Sequence, residues 1–319
     1  MAYLYTPWLL LTQILLQVAK YEAEVPAIIV FGDSSVDSGN NNRISTPLKS
    51  NFKPYGRDFA GGQPTGRFSN GRVPPDFISE AFGLKPSVPA YLDPKYGISD
   101  FATGVCFASA GTGYDTATSD VLNVIPLWKE VEYYKEYQNK LRAYLGEAKA
   151  KKILTEALYL ISLGTNDFLE NYYTIPTRQM EFTVQQYEDF LIGLSENFIR
   201  EIYSLGEHNN VAVEFNGKLS NMVAKLNQGL PGLRILFTDK IYQLFYQIIK
   251  RPSSYGFDVT EVACCATGTF EMSYLCNENN PYTCKDANKY VFWDAFHPTD
   301  KTNKILAASL IGILRETFK

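Results

Sequence analysis

Residues 27–40 of the chain read AIIVFGDSSVDSGN. The first five of these residues are apolar and three are β-branched, which is typical of a strand buried on both faces of a parallel sheet. Small and polar residues follow at once, so a tight turn would present Ser34 at the carboxyl end of the strand. A lone serine after a strand is most often a helix N-cap. The role of Ser34 therefore depends on what the rest of the chain supplies.

Two further runs, at 157–163 and 233–237, have the same apolar character, and residues 104–109 form a shorter fourth strand candidate. Segments of helical period lie among them, the clearest being 77–82, 131–145, 187–205 and 301–318. Strands that alternate with helices predict a doubly wound parallel sheet. Because no segment has the composition of a linker, we expect one domain over residues 24–319.

The composition excludes two classes of protein. The chain has 319 residues, of which 45% are hydrophobic and 20% charged, so it can bury a large core and is not disordered. Its formal net charge is -4 and its Lys and Arg residues are scattered. Without a basic stripe to neutralise phosphates, we expect no nucleic-acid partner.

The N-terminal residues 1–23 contain two apolar runs, 8–11 and 14–16, that are too short and interrupted to span a bilayer. They favour a secretory signal peptide, with Ala19 and Ala23 as small residues at candidate cleavage positions. The segment before the apolar run has no Lys or Arg, which leaves open an amphipathic N-terminal helix of the mature protein. We expect a secreted, extracellular protein without a transmembrane segment.

Four of the five cysteines crowd into residues 264–284, at Cys264, Cys265, Cys276 and Cys284. They have no flanking histidine and no Cys-x-x-Cys pair, so disulfides are favoured over zinc. Adjacent cysteines rarely bridge each other. Cys264 and Cys265 should each pair with Cys276 or Cys284, which leaves two connectivities open and Cys106 as a free, buried thiol.

Residues 292–298 read FWDAFHP and place Asp294 three residues before His297. On a tight turn, this spacing lets the carboxylate accept a hydrogen bond from one imidazole nitrogen and leaves the other nitrogen facing outward as a base. Aromatic residues frame the pair. The other histidine of the chain, His208, lies in a polar segment and is assigned no role.

Two loops offer donors for a tetrahedral oxyanion. Residues 164–167 read GTND directly after a predicted strand, and the side-chain amide of Asn166 is a neutral donor. Residues 107–113 read FASAGTG, where Gly111 allows a backbone N–H to approach a substrate closely. Taken alone, each motif is explained as well by a helix cap or a tight turn.

Together these blocks resemble the plant GDSL esterase/lipase family of the SGNH hydrolase superfamily. The Gly32-Asp33-Ser34 turn, the loops at 107–111 and 164–167 and the Asp294-x-x-His297 pair occur in the family's order. Residues 64–72 and 264–293 also look like that family, so the resemblance covers nearly all of residues 25–319. It implies the following roles: nucleophile Ser34, base His297, orienting carboxylate Asp294, and an oxyanion hole formed by the N–H groups of Ser34 and Gly111 with the Asn166 amide.

The resemblance also implies a flavodoxin-like three-layer α/β/α sandwich with a mainly parallel sheet, and no metal or organic cofactor. The substrate would be a small-molecule or polymer-borne carboxylic ester, and we expect a monomer. Lipids, cutin-like esters and acetylated wall polysaccharides all remain open, because loop geometry decides among them.

The sequence departs from the family in two places. Cys106 stands where the family usually has Asn, which we expect to loosen the loop that carries Gly111. The family also has a strand and a Gly-Gly-Leu-Pro-Pro turn after the helix that ends near Leu205. Here the chain runs through residues 205–209 straight into a segment, 209–211, that resembles the family's next helix. One strand of the sheet is therefore expected to be missing.

A missing strand would disturb the topology. One helix carries the chain to the far end of the sheet and a second, antiparallel helix carries it back, so the strand at 233–237 would start at the wrong end of a parallel sheet. Closing the gap left by the missing strand would move the strand at 233–237 by about 4.8 Å. Because Asp294 and His297 follow the gap, we expect lower activity and stability than in a chain with the strand restored. The alternatives to an active esterase are a secreted protein that binds ester-bearing material without turnover and a shortened chain that folds poorly.

Overall fold

The computed structural model describes residues 25–206, 210–213, 218–230, 234–237 and 240–317. The predicted signal peptide (1–23), His208 and Asn209 lie outside these ranges. Within them, five parallel strands form one sheet in the order β2-β1-β3-β4-β5, the strand order of flavodoxin-like folds. The strands are β1 (Ile28–Gly32), β2 (Gly104–Cys106), β3 (Leu158–Ser162), β4 (Asn210–Val213) and β5 (Arg234–Phe237).

Helices connect the strands and close the sheet on both faces. The α-helices are α1 (Pro74–Ala81), α2 (Ile98–Phe101), α3 (Thr116–Val121), α4 (Leu127–Leu145), α5 (Glu147–Glu156), α6 (Pro176–Glu181), α7 (Val184–Gly206), α8 (Lys218–Gly229), α9 (Lys240–Lys250) and α10 (Asp300–Thr317). A π-helix spans Asp167–Tyr172, and short 3-10 helices span Asn40–Arg43, Ala60–Gly62, Pro252–Tyr255, Ser273–Leu275 and Ala287–Lys289.

The alternation of side chains along β1 shows how the three layers are built. Ile29 and Phe31 face a core that α4, α5, α7 and α8 cover. Ile28 and Val30 face a second core, against α1 and α10. All four side chains are fully buried, as expected for a central strand with apolar residues on both faces. The predicted α/β/α sandwich is confirmed.

The region of the expected missing strand differs from the prediction. Residues 209–211 were predicted to be helical, but Asn210–Val213 forms β4, which pairs with β3 on one side and β5 on the other. The expected topology is also wrong, because β5 runs parallel to its neighbours. The physical reason is that the edge of β3 carries backbone donors and acceptors that a neighbouring strand satisfies, and such tertiary pairing overrides a local helical preference.

The C-terminal part contains two disulfides, Cys264–Cys284 and Cys265–Cys276. Among the described residues Cys106 is the free cysteine, and it is buried. The prediction of disulfides and a free Cys106 is confirmed, and the structure selects one of the two open connectivities. No helix in the described part of the chain is long and apolar enough to cross a membrane.

Candidate active site

The nucleophile turn follows β1 directly. Gly32 has a φ of +148°, and a Cβ atom there would lie 2.4 Å from the carbonyl oxygen of Ser162, so this position requires glycine. The carboxylate of Asp33 accepts hydrogen bonds from the backbone N–H and the hydroxyl of Ser35, at 2.9 and 2.7 Å. These bonds hold Ser34 half-buried at the carboxyl end of the central strand, where α/β sheets place their sites.

Asp294 and His297 form the hydrogen bond expected from their spacing. Oδ1 of the fully buried Asp294 lies 2.7 Å from Nδ1 of His297 and also accepts the backbone N–H groups of Phe296 and His297. The N–H of Trp293 donates to the carbonyl of His297 at 2.7 Å and closes the turn. An ionised carboxylate only accepts hydrogen bonds, so Nδ1 carries the hydrogen and Nε2 keeps its lone pair.

Tyr55 forms a hydrogen bond to the carboxylate of this pair. Its hydroxyl donates to Oδ2 of Asp294 at 2.6 Å and accepts the N–H of Ser273 at 2.9 Å. Burial, together with the neighbouring Asp294 carboxylate, holds the pKa of Tyr55 well above its usual range, so the hydroxyl keeps its proton and remains a donor. Tyr55 therefore fixes the second oxygen of the carboxylate that orients His297.

The imidazole lies in an environment that is apolar on one side and acidic on the other. The ring of Phe68 is tilted against His297 with 4.9 Å between centroids. Burial raises the pKa of Asp33, and attraction to His297 opposes that rise. Burial and the nearby Asp33 raise the pKa of Glu170 to about 7, again against an attraction to His297.

Ser35 and Pro298, the chain neighbours of Ser34 and His297, line the same pocket, so the two turns lie at the same end of the sheet. In the part of the chain that the structure describes, no hydrogen bond joins the Ser34 hydroxyl to His297. Catalytic hydrogen bonds are often long before substrate binds, so this separation is compatible with a working pair.

Three donors lie on loops that follow neighbouring strands. Gly111 has a φ of +88°, and a Cβ atom there would lie 2.8 Å from the side chain of Leu48. Among the described residues, the backbone N–H groups of Ser34 and Gly111 donate to no protein acceptor. The Asn166 amide donates one hydrogen to the carbonyl of Thr112 at 3.0 Å, which orients the group and leaves its second hydrogen for another acceptor. This set could hold an oxyanion.

The glycine loop is anchored through its backbone. The amide of Asn40 donates to the carbonyls of Cys106 and Ala108, at 3.0 and 2.8 Å. The neighbouring Asn41 donates to the carbonyl of Ala110 at 2.9 Å. Both asparagines are almost fully buried. They belong to the same segment as Ser34, so the nucleophile turn and the Gly111 loop are fixed to each other.

The departure at Cys106 does not loosen this loop as expected. The Cys106 thiol is fully buried and donates to the carbonyl of Val36 at 3.4 Å. Burial raises its pKa to about 12, so it remains a neutral thiol. Because the loop is held by backbone carbonyls, a small side chain at this position suffices.

Asp167 connects the Asn166 block to the Gly111 loop. Its carboxylate accepts the N–H groups of Tyr114 and Asp115 at 2.8 and 3.0 Å and the hydroxyl of Thr118 at 2.6 Å. Burial raises its pKa to about 7. The π-helix that begins at Asp167 is a rare element that often occurs at functional sites.

Sequence reasoning missed two supporting residues. Glu130 of α4 is fully buried and accepts the N–H of Gly32 at 3.0 Å, directly beneath the nucleophile turn. A carboxylate on the apolar face of a helical segment indicates a buried charged group, and this pattern was visible in the sequence at Glu130. Tyr55 gave no such signal, because it lies in a loop 239 residues away from Asp294.

The turn at residues 292–298 is bonded through its backbone to residues 264–271, and residues 47–76 are bonded to the segments on either side of it. The hydroxyl of Ser273 donates to the carbonyl of Lys49 at 2.6 Å, and Arg57 donates to the carbonyl of Cys284 at 2.6 Å. The carboxylate of Asp300 accepts the N–H of Arg72 at 2.6 Å. The turn also contacts the helix that follows β5, because the rings of Phe245 and Phe292 pack at 5.6 Å between centroids, so the dependence of the position of His297 on β5 stays a prediction.

Comparisons with known proteins give close relatives. The chain is 55% identical to the GDSL esterase/lipase At2g42990 of Arabidopsis thaliana, over 93% of both chains. It is 56% identical to At4g26790, over 94% of both, and 54% identical to At2g04570, over 92% of both. A carbohydrate esterase of known structure covers 92% of this chain with a TM-score of 0.39 and 13% identity, a likeness too weak to bear on fold or substrate.

These alignments are longer than the part of this chain that they cover. They span 323 to 330 positions, whereas 92 to 94% of 319 residues is about 30 fewer. Each relative therefore has about 30 residues without a counterpart here. A block missing near residues 205–209 stays a prediction, and β4 occupies the strand position beside β3.

The model of the GDSL-like lipase/acylhydrolase family matches residues 28–310, which is most of the chain. This match and the relatives above agree with the order of the site blocks. The chain belongs to the GDSL esterase/lipase family of carboxylic ester hydrolases.

Proposed function

We propose that this protein hydrolyses carboxylic esters through an acyl-enzyme formed on Ser34. The observation that carries the proposal is the buried Asp294–His297 pair beside the nucleophile turn. Asp294 holds the Nδ1–H of the imidazole, which leaves Nε2 as a base for the serine hydroxyl.

In the first half of the reaction, the Ser34 hydroxyl oxygen attacks the ester carbonyl carbon while Nε2 of His297 takes the hydroxyl proton. The carbonyl oxygen becomes an oxyanion, which accepts hydrogen bonds from the N–H groups of Ser34 and Gly111 and from the Asn166 amide. The C–O bond to the alcohol then breaks, and His297 returns the proton to the leaving alkoxide.

In the second half, a water molecule attacks the acyl-enzyme with His297 again as base. Collapse of the second tetrahedral intermediate releases the carboxylic acid and restores the Ser34 hydroxyl. The imidazolium that forms in each half is stabilised by Asp294.

We further propose that the enzyme acts outside the cell. Two disulfides among the described residues favour an oxidising compartment. Protein recovered from the medium of secreting cells should begin between residues 20 and 25. Recovery of a chain that starts at Met1 would contradict secretion.

Hydrolysis of p-nitrophenyl acetate and labelling with a fluorophosphonate test the mechanism together. The unaltered protein should hydrolyse the ester and carry the label on Ser34, whereas Ser34→Ala should do neither. The matched control is Ser35→Ala, which removes the adjacent hydroxyl and should keep the label. Labelling of another serine, or hydrolysis that survives Ser34→Ala, would refute the mechanism.

A further inference from the structure

An open groove of about 710 Å³ lies between α4 and residues 91–101, where residues 90 and 91 pair with the outer edge of β2. Four tyrosine side chains line this groove: Tyr91, Tyr96, Tyr133 and Tyr144. Its volume lies in the range of small-molecule sites. None of the residues proposed for catalysis or for the oxyanion hole lines it, so the tyrosine groove is separate from the candidate active site.

The ring of Tyr91 is a fixed part of the groove wall. Only 8% of this residue is exposed. Its ring packs against Phe101, Phe107 and Tyr133, with 5.5, 5.1 and 5.5 Å between centroids. Its backbone N–H donates to the carbonyl of Cys106 at 2.9 Å. Because this aromatic wall is already ordered, a ligand that covers it loses little conformational entropy of the protein.

Exposed rings complete the groove. Tyr96 is 40% exposed and Tyr144 is 52% exposed. Tyr133, Lys140 and Tyr144 share one face of α4, since they are spaced by seven and four residues. An exposed tyrosine presents a flat apolar ring together with a hydroxyl that hydrogen-bonds. The groove therefore offers a ligand apolar rings and polar atoms side by side.

The charged groups that line the groove are held in ion pairs. The ammonium of Lys140 lies 2.7 Å from the carboxylate of Glu136 and donates to the hydroxyl of Tyr91 at 3.2 Å. The carboxylate of Asp93 lies 3.0 Å from the guanidinium of Arg43. An ionic ligand would meet charges that are already neutralised, whereas the carboxylate and hydroxyl oxygens still have lone pairs for further hydrogen bonds.

We propose that the tyrosine groove binds a neutral oligosaccharide. A sugar ring has an apolar C–H face that can lie on a tyrosine ring, and hydroxyls around its edge that can bond to Glu136 and to the tyrosine hydroxyls. A hydrocarbon chain would cover these polar groups without pairing them, which costs free energy. Binding of a polysaccharide here would raise the effective concentration of esters on the same polymer at the active site.

Titration calorimetry with the neutral hexasaccharides cellohexaose, xylohexaose and mannohexaose tests the assignment. At least one of them should bind to the unaltered protein, more tightly than the anion hexagalacturonate. Tyr96→Ala and Tyr144→Ala each remove an exposed ring and should weaken that binding about tenfold. The matched control is Tyr282→Ala, which removes a ring that is 72% exposed outside the groove and should keep the affinity.

Hydrolysis of p-nitrophenyl acetate by the same variants separates this inference from the proposed mechanism. Neither Tyr96→Ala nor Tyr144→Ala should change kcat, because neither residue belongs to the proposed catalytic machinery. If the sugar binds and both variants weaken it while no ester is hydrolysed, the groove assignment stands and the proposed function fails. The inference is overturned if no neutral hexasaccharide binds, if hexagalacturonate binds as tightly, or if Tyr282→Ala weakens binding as much as the groove variants do.

Discussion

The catalytic turn at residues 292–298 and the sheet edge made by β4 and β5 both follow the junction near Leu205, yet different interactions fix them. Side-chain hydrogen bonds from Tyr55 and Arg57, and one from the backbone N–H of Arg72, reach the turn or the segment around it, and two disulfides brace that segment. The edge consists of two strands of four residues each, paired through their backbones.

Because of this difference, we expect a change at the sheet edge to affect the stability of the fold more than the rate of catalysis. The turn is bonded to Tyr55, which precedes the junction, and to Cys264, Cys265 and Glu271, which follow it. We expect the bond to Tyr55 to keep the turn in place relative to Ser34 if a block is missing at the junction. Loss of about 30 residues relative to the relatives should therefore weaken the fold more than it alters the reaction.

The largest effect should come from the base itself. His297→Ala removes the proposed base for the Ser34 proton, and kcat should fall on the order of a millionfold. The thermal midpoint should move far less, because the turn keeps its backbone closure. Steady-state hydrolysis of p-nitrophenyl acetate measures this loss, and a variant with substantial remaining activity would refute the role of His297.

Asn166→Ala tests the oxyanion hole. The substitution removes one of the three proposed donors, and kcat should fall roughly a hundred- to a thousandfold with little change in KM. Asn171→Ala removes another buried amide, one that bonds to Thr118 and not to the proposed oxyanion site. If both variants lose kcat equally, the effect of Asn166 is structural and its proposed role is wrong.

Tyr55→Phe tests the attachment of the turn to the N-terminal side of the junction. The variant loses the hydrogen bond to Asp294, so kcat should fall about tenfold. The control is Tyr137→Phe, which loses a buried hydroxyl bonded to the carbonyl of Phe101. It should lower the thermal midpoint without changing kcat, and a Tyr55→Phe enzyme with unaltered kcat would show that the turn is positioned by other contacts.

A smaller effect is expected in the pH dependence of stability. Burial raises the pKa of Asp37 to about 6 and that of Asp167 to about 7, from 3.8. Between about pH 4 and 7 the folded protein therefore binds more protons than the unfolded chain, so the free energy of unfolding falls as the pH rises. Asp167→Asn should flatten this dependence by a few degrees in thermal midpoint. An unchanged slope between pH 4.5 and 7.5 would contradict this origin.

Patterns within the sequence predicted most of the fold, and they named candidate site residues whose roles stay predictions. The apolar runs gave β1, β2, β3 and β5, since a buried strand shows its character locally. β4 was missed because its pairing depends on the vacant edge of β3, which no local pattern reveals. Tyr55 was missed for a related reason, because its partner Asp294 is close only after folding. The cysteine spacing left two disulfide connectivities open, and the positions of the cysteines in the folded chain select one of them.

Restoring the missing block tests most directly whether contacts with residues 47–76, and not the sheet edge, set the catalytic geometry. A family-type block of about 30 residues is inserted between Leu205 and Asn209, and kcat for p-nitrophenyl acetate is compared with that of the unaltered chain. We predict equal kcat within a few-fold, together with a higher thermal midpoint in the restored chain. Because a displacement of about 1 Å at the reacting groups is sufficient to lower the rate about a hundredfold, a gain in kcat of that size would show that the edge controls the position of His297 and would contradict this account.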